Sequence, residues 1–435
     1  MTSTNSLDRT GKLVALGVFV ALVVDGMDLQ MLSLALPSLT KEMQISNVMA
    51  GALSTYTLFG MGVGGILAGW LSDRIGRVAV TWWAVLVFTA CTGLIAFCSE
   101  YWQVAVMRFV SGFGLAAVYS IGTLLAAEYV PTAIRTTVLG ILQAGWSVGY
   151  VIAALLSSYV IPSYGWRALF LCAIIPGIAS LVLLRGIDDP PSWHAARAAL
   201  ASGAKPMGRF SAIMADPSTR RMFLLWSATA IALQFGYYGA NTWLPSYVAK
   251  DLGVNLANTG WYVAGTYAMM VLGKALTGYL ADIFGRKTMW VVSGMATAIY
   301  LPILITFATP ANVPYLLLIF GLLYGAPYAV NATYMSESFP TSIRGTAVAA
   351  SYNVGRIGST ISPLLIGWVA TGYSIGFGIG LLGVAYAVCA IIPGLFIQER
   401  LYDPKAADAA VAPVAPGVPA PATAGGPRTS SAVAR

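Results

Sequence analysis

The chain has 435 residues, of which 58% are hydrophobic and only 9% charged. Soluble domains run at roughly 45–50% and 25%, and 24 Lys and Arg with 16 Asp and Glu cannot cover a globular surface of this size with water-binding groups. The composition describes a polytopic membrane protein and excludes a secreted disulfide scaffold, a nucleic-acid binder and a disordered chain.

A helical span needs about 20 mostly apolar residues. Twelve such runs follow one another, at 13–36, 49–71, 79–98, 101–127, 136–161, 166–186, 221–248, 259–281, 288–308, 312–336, 343–370 and 374–397; they are called spans 1 to 12 below. Span 1 follows Arg9 and Lys12 like a signal peptide, but it has no small-residue cleavage site and carries Asp25 and Asp28, so it is read as retained. The net charge of +8 is spread over the short loops rather than gathered in a patch. Only Lys41, Arg167 and Lys250 fall on the face opposite the other loop bases, which puts both termini in the cytoplasm. Cys91, Cys98, Cys172 and Cys389 lie in apolar segments without a C-x-x-C pair, and His194 is the only histidine, so neither a disulfide framework nor a metal site is indicated.

The chain divides into a cytoplasmic N-terminus (1–12), a six-helix half (13–186), a cytoplasmic linker (187–220), a second six-helix half (221–400) and a tail (401–435). The tail is rich in Ala, Pro and Gly and is expected to be disordered. The halves repeat. Residues 69–77 (GWLSDRIGR) match 278–286 (GYLADIFGR), and 128–135 (EYVPTAIR) match 337–344 (ESFPTSIR), both at an offset of 209. Parallel repeats of this kind pack about an axis along the membrane normal, with substrate bound between them near the midplane.

Charges inside the spans carry a cost of about 2.5–3.5 kcal/mol each on insertion scales. Asp25 and Asp28 are three residues apart in span 1, a spacing that lets both carboxylates look into one cavity. Their mutual repulsion favours a proton on one of them, which is what a proton carrier needs. Arg108 in span 4 and Arg356 in span 11 cannot shed their charge and suit bidentate carboxylate binding. At the 209 offset Arg108 meets Leu317 and Arg356 meets Ser147, so neither arginine belongs to the duplicated scaffold. Lys274 in span 8 lies eight residues before Asp282 and is expected to snorkel toward the cytoplasm. The bases inside the spans outnumber the acids, which favours an anionic substrate. Tyr237 and Asn241 in span 7, with Tyr328 and Asn331 in span 10, are the preferred pocket contacts among many aromatic and amide side chains. The loop charges Asp73, Arg74, Arg77, Glu128 and Arg135, with Asp282, Arg286, Glu337 and Arg344, are read as a gate at the cytoplasmic mouth.

Over residues 10–400 the chain resembles the major facilitator superfamily. Its 69–77 segment is similar to that superfamily's G-x-L-x-D-R-x-G-R signature, with Val78 where a basic residue is usual; the second copy keeps Lys287. Asp25-Gly26-Met27-Asp28 resembles the D-G-x-D motif of the aromatic acid:proton symporters, importers of benzoates, hydroxybenzoates and muconates. Asn353-Val354-Gly355-Arg356-Ile357-Gly358 is similar to the same family, and span 5 lacks the G-P-x-x-G-G run of drug:proton antiporters. The resemblance implies an all-α fold of twelve transmembrane helices in two pseudo-symmetric halves. It implies a proton-coupled symporter that imports an organic carboxylate, an aromatic or muconate-like acid, by alternating access. Such a protein is not an enzyme and needs no cofactor besides the proton as coupling ion. Its partners would be a small organic anion, protons and the lipid bilayer, with no nucleic acid, and it is expected as a monomer in the inner membrane. The alternatives are a symporter of an aliphatic monocarboxylate, a sialic acid or a sugar, an exporter of organic ions, and a sensor that does not transport.

Overall fold

The computed structural model describes residues 7–131, 135–191, 193–194, 210–340 and 343–399. The tail expected to be disordered lies outside the described residues. So do the side chains of Asp73 and Arg135.

Each of the twelve apolar runs is occupied by helix. Span 1 is Arg9–Met43, span 2 Asn47–Ile75 and span 3 Arg77–Ile95; spans 7, 8, 9 and 12 are Pro217–Ser246, Leu256–Phe284, Arg286–Phe307 and Ile375–Phe396. The sequence places a capping side chain at several starts. Asp8 accepts from Gly11 N (2.6 Å), Ser46 from Met49 N (3.2 Å), Asn255 from Asn258 N (2.8 Å) and Ser374 from Phe377 N (3.0 Å). Asp216 caps span 7, and hydrogen bonds from Ser218 and Thr219 push its carboxyl down to about 2. Spans 5 and 6 run on as one helix, Arg135–Cys172, whose non-helical Gly165 (φ 80°) makes the turn between them; Ile174–Leu184 completes span 6.

Spans 4, 10 and 11 are also broken, a feature not anticipated from the apolar runs. Span 4 passes through a π-helical turn, Val118–Gly122, between Tyr101–Ala117 and Thr123–Tyr129. Span 10 breaks between Val313–Tyr324 and Pro327–Glu337, where Gly325 and Pro327 interrupt the ladder. Span 11 breaks at Gly355, between Arg344–Val354 and Arg356–Gly372. Gln234 of span 7 donates to Tyr352 O (2.7 Å) and satisfies a carbonyl beside that break. Among the described residues eight helical stretches are long and apolar enough to cross a bilayer, and one of them, Val138–Leu184, is long enough to hold two spans. Spans 7, 8 and 11 do not meet that test; each has a polar side chain in the cavity or beside it (Gln234, Lys274, Arg356).

The sequence repeat has a structural counterpart. Gly76 (φ 106°) and Gly285 (φ 92°) form the corners after spans 2 and 8, in a region of backbone that side chains disfavour. Arg77 pairs with Glu128, and Arg286 lies 3.6 Å from Asp282 and 3.7 Å from Glu337. Asp189, following span 6, accepts from Arg77 N (2.6 Å) and Val78 N (2.9 Å); Glu399, following span 12, accepts from Arg286 N (2.6 Å). Carboxylates therefore sit on the N-termini of spans 3 and 9, where the helix dipole favours them. Neither was anticipated, although an acid close to the 209 offset after each sixth span was the available signal.

Candidate functional site

A cavity of about 730 Å³ lies between spans 1 and 5 on one side and spans 7, 8, 10 and 11 on the other. A second space, of about 550 Å³, shares Tyr119, Asn331, Tyr352 and Arg356 with it. That space continues toward Thr123, Ser336 and Arg344, at the ends of spans 4, 10 and 11 that carry the loop motifs. In the opposite direction the two halves of the chain are tied together. Lys250 donates to Thr40 Oγ1 (2.8 Å), Asn241 to Tyr150 Oη (2.6 Å) and Thr55 to Thr360 O (2.7 Å); the Tyr267 hydroxyl lies 2.7 Å from Gln30 Oε1. The cavity is open toward the motif side and closed on the other.

Asp25 and Arg356 both line this cavity. Gly26 allows span 1 to pack onto span 5 so closely that a Cβ there would lie 2.1 Å from Trp146 O, which sets Asp25 beside the Trp146 indole. Asp25 is fully buried, and among the described residues its carboxylate makes no ion pair and no close hydrogen bond, with the Trp146 side chain as a donor beside it. Arg356, the first residue after the break in span 11, is the cation whose field reaches Asp25. Its guanidinium makes only a long bond to Asn353 Oδ1 (3.3 Å) and a contact to Met61 Sδ (3.9 Å), and no carboxylate among the described residues pairs with it. An unpaired buried guanidinium is costly and is suited to receive an anion.

Asp28 does not share this cavity. Residues three apart on a helix are offset by about 60° around its axis, and that rotation turns Asp28 toward spans 3 and 4. Both of its oxygens accept from Arg108 Nη1 at 2.9 Å, and Oδ1 also accepts from Thr92 Oγ1 at 2.5 Å. Arg108 Nε donates to Thr57 Oγ1 (2.9 Å), and both charged side chains are 0% exposed. The structure thus separates the two aspartates that the sequence put on one face. It makes Asp28 and Arg108 a self-neutralising pair and leaves Arg108 beside a separate void of about 20 Å³.

Lys274 departs from expectation as well. It does not snorkel away from the site: its ammonium lies 6.0 Å from the Trp146 ring centroid and 5.9 Å from that of Tyr328, on the cavity wall. Tyr237, Tyr328 and Asn331 also line the cavity. Tyr237 stacks on Tyr324 at 5.1 Å and 13°, and packs against Tyr328 at 4.7 Å; the buried Tyr328 hydroxyl has no partner among the described residues. Asn241 is not on this wall. Its amide is occupied by Tyr150, Tyr267 and Tyr324 on the closed side. Trp146, Tyr119 and Tyr352 line the cavity without having been preferred among the aromatics. Of the loop charges, Arg77–Glu128 and Arg286–Glu337 each pair within one half of the chain. Arg74 stacks over Trp70 (3.9 Å), and Arg344 lines the motif-side space and donates to Phe339 O (3.4 Å).

The family model described as Major Facilitator Superfamily matches residues 18–363 and 227–429. The chain belongs to the major facilitator superfamily. It is 46% identical over 411 residues to a cis,cis-muconate transport protein of Acinetobacter baylyi, covering 93% of this chain and all of that one. It is 28% identical to a gentisate transporter of Corynebacterium glutamicum, over 79% of this chain and 78% of the relative. The crystal structure of a D-xylose–proton symporter superposes with a TM-score of 0.74 at 20% identity, covering 89% of this chain and 98% of the other. This major facilitator protein is a multi-pass membrane transporter of a small molecule and not an enzyme, and its relatives place it with the superfamily's aromatic acid transporters.

Proposed function

We propose that the protein imports an organic carboxylate of the aromatic or muconate-like class together with a proton. The observation that carries the reading is Arg356: a guanidinium on the wall of an aromatic-lined cavity, with no carboxylate paired to it among the described residues, and with Asp25 on the same cavity wall. The substrates for which the two relatives are named, muconate and gentisate, are both carboxylates. In this reading the substrate's carboxylate supplies the counter-charge of Arg356, and a proton on Asp25 removes the repulsion between Asp25 and that anion. Alternating access then carries both across. Asp28 and Arg108 hold spans 1, 3 and 4 together around the site. The motif side is taken as cytoplasmic, so the structure faces inward. The paired loop charges at this mouth, each worth about 0–1 kcal/mol, are weak enough to exchange partners as it closes.

The test is uptake of labelled cis,cis-muconate and labelled gentisate into proteoliposomes with an imposed inward proton gradient. Accumulation of either acid, abolished by a protonophore, supports the reading. Accumulation of neither, or accumulation indifferent to the protonophore, sinks it.

A further inference from the structure

The cavity holds a second cation that the carboxylate reading leaves unused. The Lys274 ammonium lies between the Trp146 and Tyr328 rings, and no carboxylate among the described residues forms an ion pair with it or with Arg356. Asp28 and Arg108 neutralise each other away from this wall, so one acid, Asp25, stands against two bases. The wall carries one excess positive charge with Asp25 ionised and two when Asp25 takes up a proton. Cations on a cavity wall inside the membrane, without protein counter-charge among the described residues, attract an anion. A monocarboxylate meets one of the two cations and leaves the other bare. A dicarboxylate meets both, and the proton-loaded cavity with a dianion inside it is electrically neutral.

The two cations differ in kind. Arg356 offers a planar fork for bidentate contact, whereas Lys274 is a compact charge set beside two aromatic rings. Tyr328 adds a buried hydroxyl without a partner on the same wall, and its ring, with that of Trp146, gives a flat unsaturated carbon chain an apolar surface. We propose that Lys274 and Arg356 each bind one carboxylate of a single dianionic substrate, and that Lys274 is the residue that selects dicarboxylates over monocarboxylates. The proposal rests on the carboxylate reading above and adds to it a second subsite.

Calorimetric titration of the purified full chain in nanodiscs with cis,cis-muconate, its monomethyl ester and benzoate tests it. The wild-type protein is expected to bind the diacid at least tenfold more tightly than the half-ester, a comparison that needs no variant. In Lys274→Gln the diacid should weaken at least tenfold, to the level of the half-ester, while the half-ester changes less than twofold. Lys274→Arg should keep the preference. If the wild-type protein binds half-ester and diacid equally, or if Lys274→Gln weakens both by the same factor, the second subsite is wrong while carboxylate binding stands. If the wild-type protein binds none of the three acids, the carboxylate reading falls and the subsite with it.

Discussion

Asp28→Asn and Asp25→Asn are expected to do opposite things, although the two residues are three apart in one helix. Asp28 is the counter-charge of Arg108; both are 0% exposed, with two contacts of 2.9 Å from one guanidinium nitrogen and a third bond from Thr92. Removing the negative charge leaves a buried guanidinium with only neutral acceptors, Thr57 and the new amide oxygen, and with Nη2 already unpartnered among the described residues. Breaking one side of such a pair costs about 3–5 kcal/mol. Replacing both sides by apolar residues of similar volume, Asp28→Leu with Arg108→Met, removes the unpaired charge and should recover most of that loss. Asp25→Asn breaks no ion pair among the described residues and leaves an amide oxygen that can still accept from the Trp146 indole, so its stability change should stay below about 1 kcal/mol. The assay is reversible unfolding in mixed micelles, titrated with sodium dodecyl sulfate and followed by circular dichroism on the four proteins. Equal destabilisation by the two asparagine variants, or a double variant no more stable than Asp28→Asn, would refute the assignment of Asp28 to a structural pair.

Three further outcomes follow from the geometry. Arg356→Ala should weaken substrate binding by about 1.5–3 kcal/mol, as for a lost charged hydrogen bond, and Arg356→Lys should recover little of it because lysine lacks the fork; unchanged affinity in the alanine variant, measured by calorimetry, would remove Arg356 from the site. Gly26→Ala should push span 1 off span 5, since its Cβ would lie 2.1 Å from Trp146 O, and should cost about 1–3 kcal/mol as overpacking; a fully stable, fully active variant would contradict the packing. Asp216 is held at about 2 in the folded chain against its ordinary 3.8, so its capping contribution is fully present above 3.8 and is lost only as pH falls through about 2; the Thr219 amide should stay protected from hydrogen exchange at pH 3, and loss of protection near pH 4 would contradict the cap.

Much of the fold was legible because apolar runs and a repeated loop motif report directly on burial and duplication. The 209 offset links Arg77 and Glu128 to Arg286 and Glu337, and the same offset relates the two ion pairs in space. The breaks in spans 4, 10 and 11 were not read, because hydropathy is blind to the backbone; Gly325 with Pro327 was the available signal, and span 4 carried none. The site was read as a set of residues and not as an arrangement. Asp25, Arg356, Tyr237, Tyr328 and Asn331 meet on one wall. Spacing alone could not tell that a rotation of about 60° hands Asp28 to Arg108. Lys274 was expected to snorkel, but the direction of its side chain depends on spans 5 and 10, which sequence does not place. Asn241 was chosen for its polarity, yet that polarity is spent on Tyr150, Tyr267 and Tyr324.

The coupling role of Asp25 is the centre of the account, and proton flux measured alongside substrate flux tests it most directly. Proteoliposomes loaded with a pH-sensitive dye are given labelled cis,cis-muconate, with wild-type protein and with Asp25→Asn. Wild-type protein should acidify the lumen as substrate enters and should accumulate substrate against its gradient. Asp25→Asn should exchange substrate across the membrane without acidification and without accumulation. Proton-coupled accumulation that survives in Asp25→Asn would contradict the account.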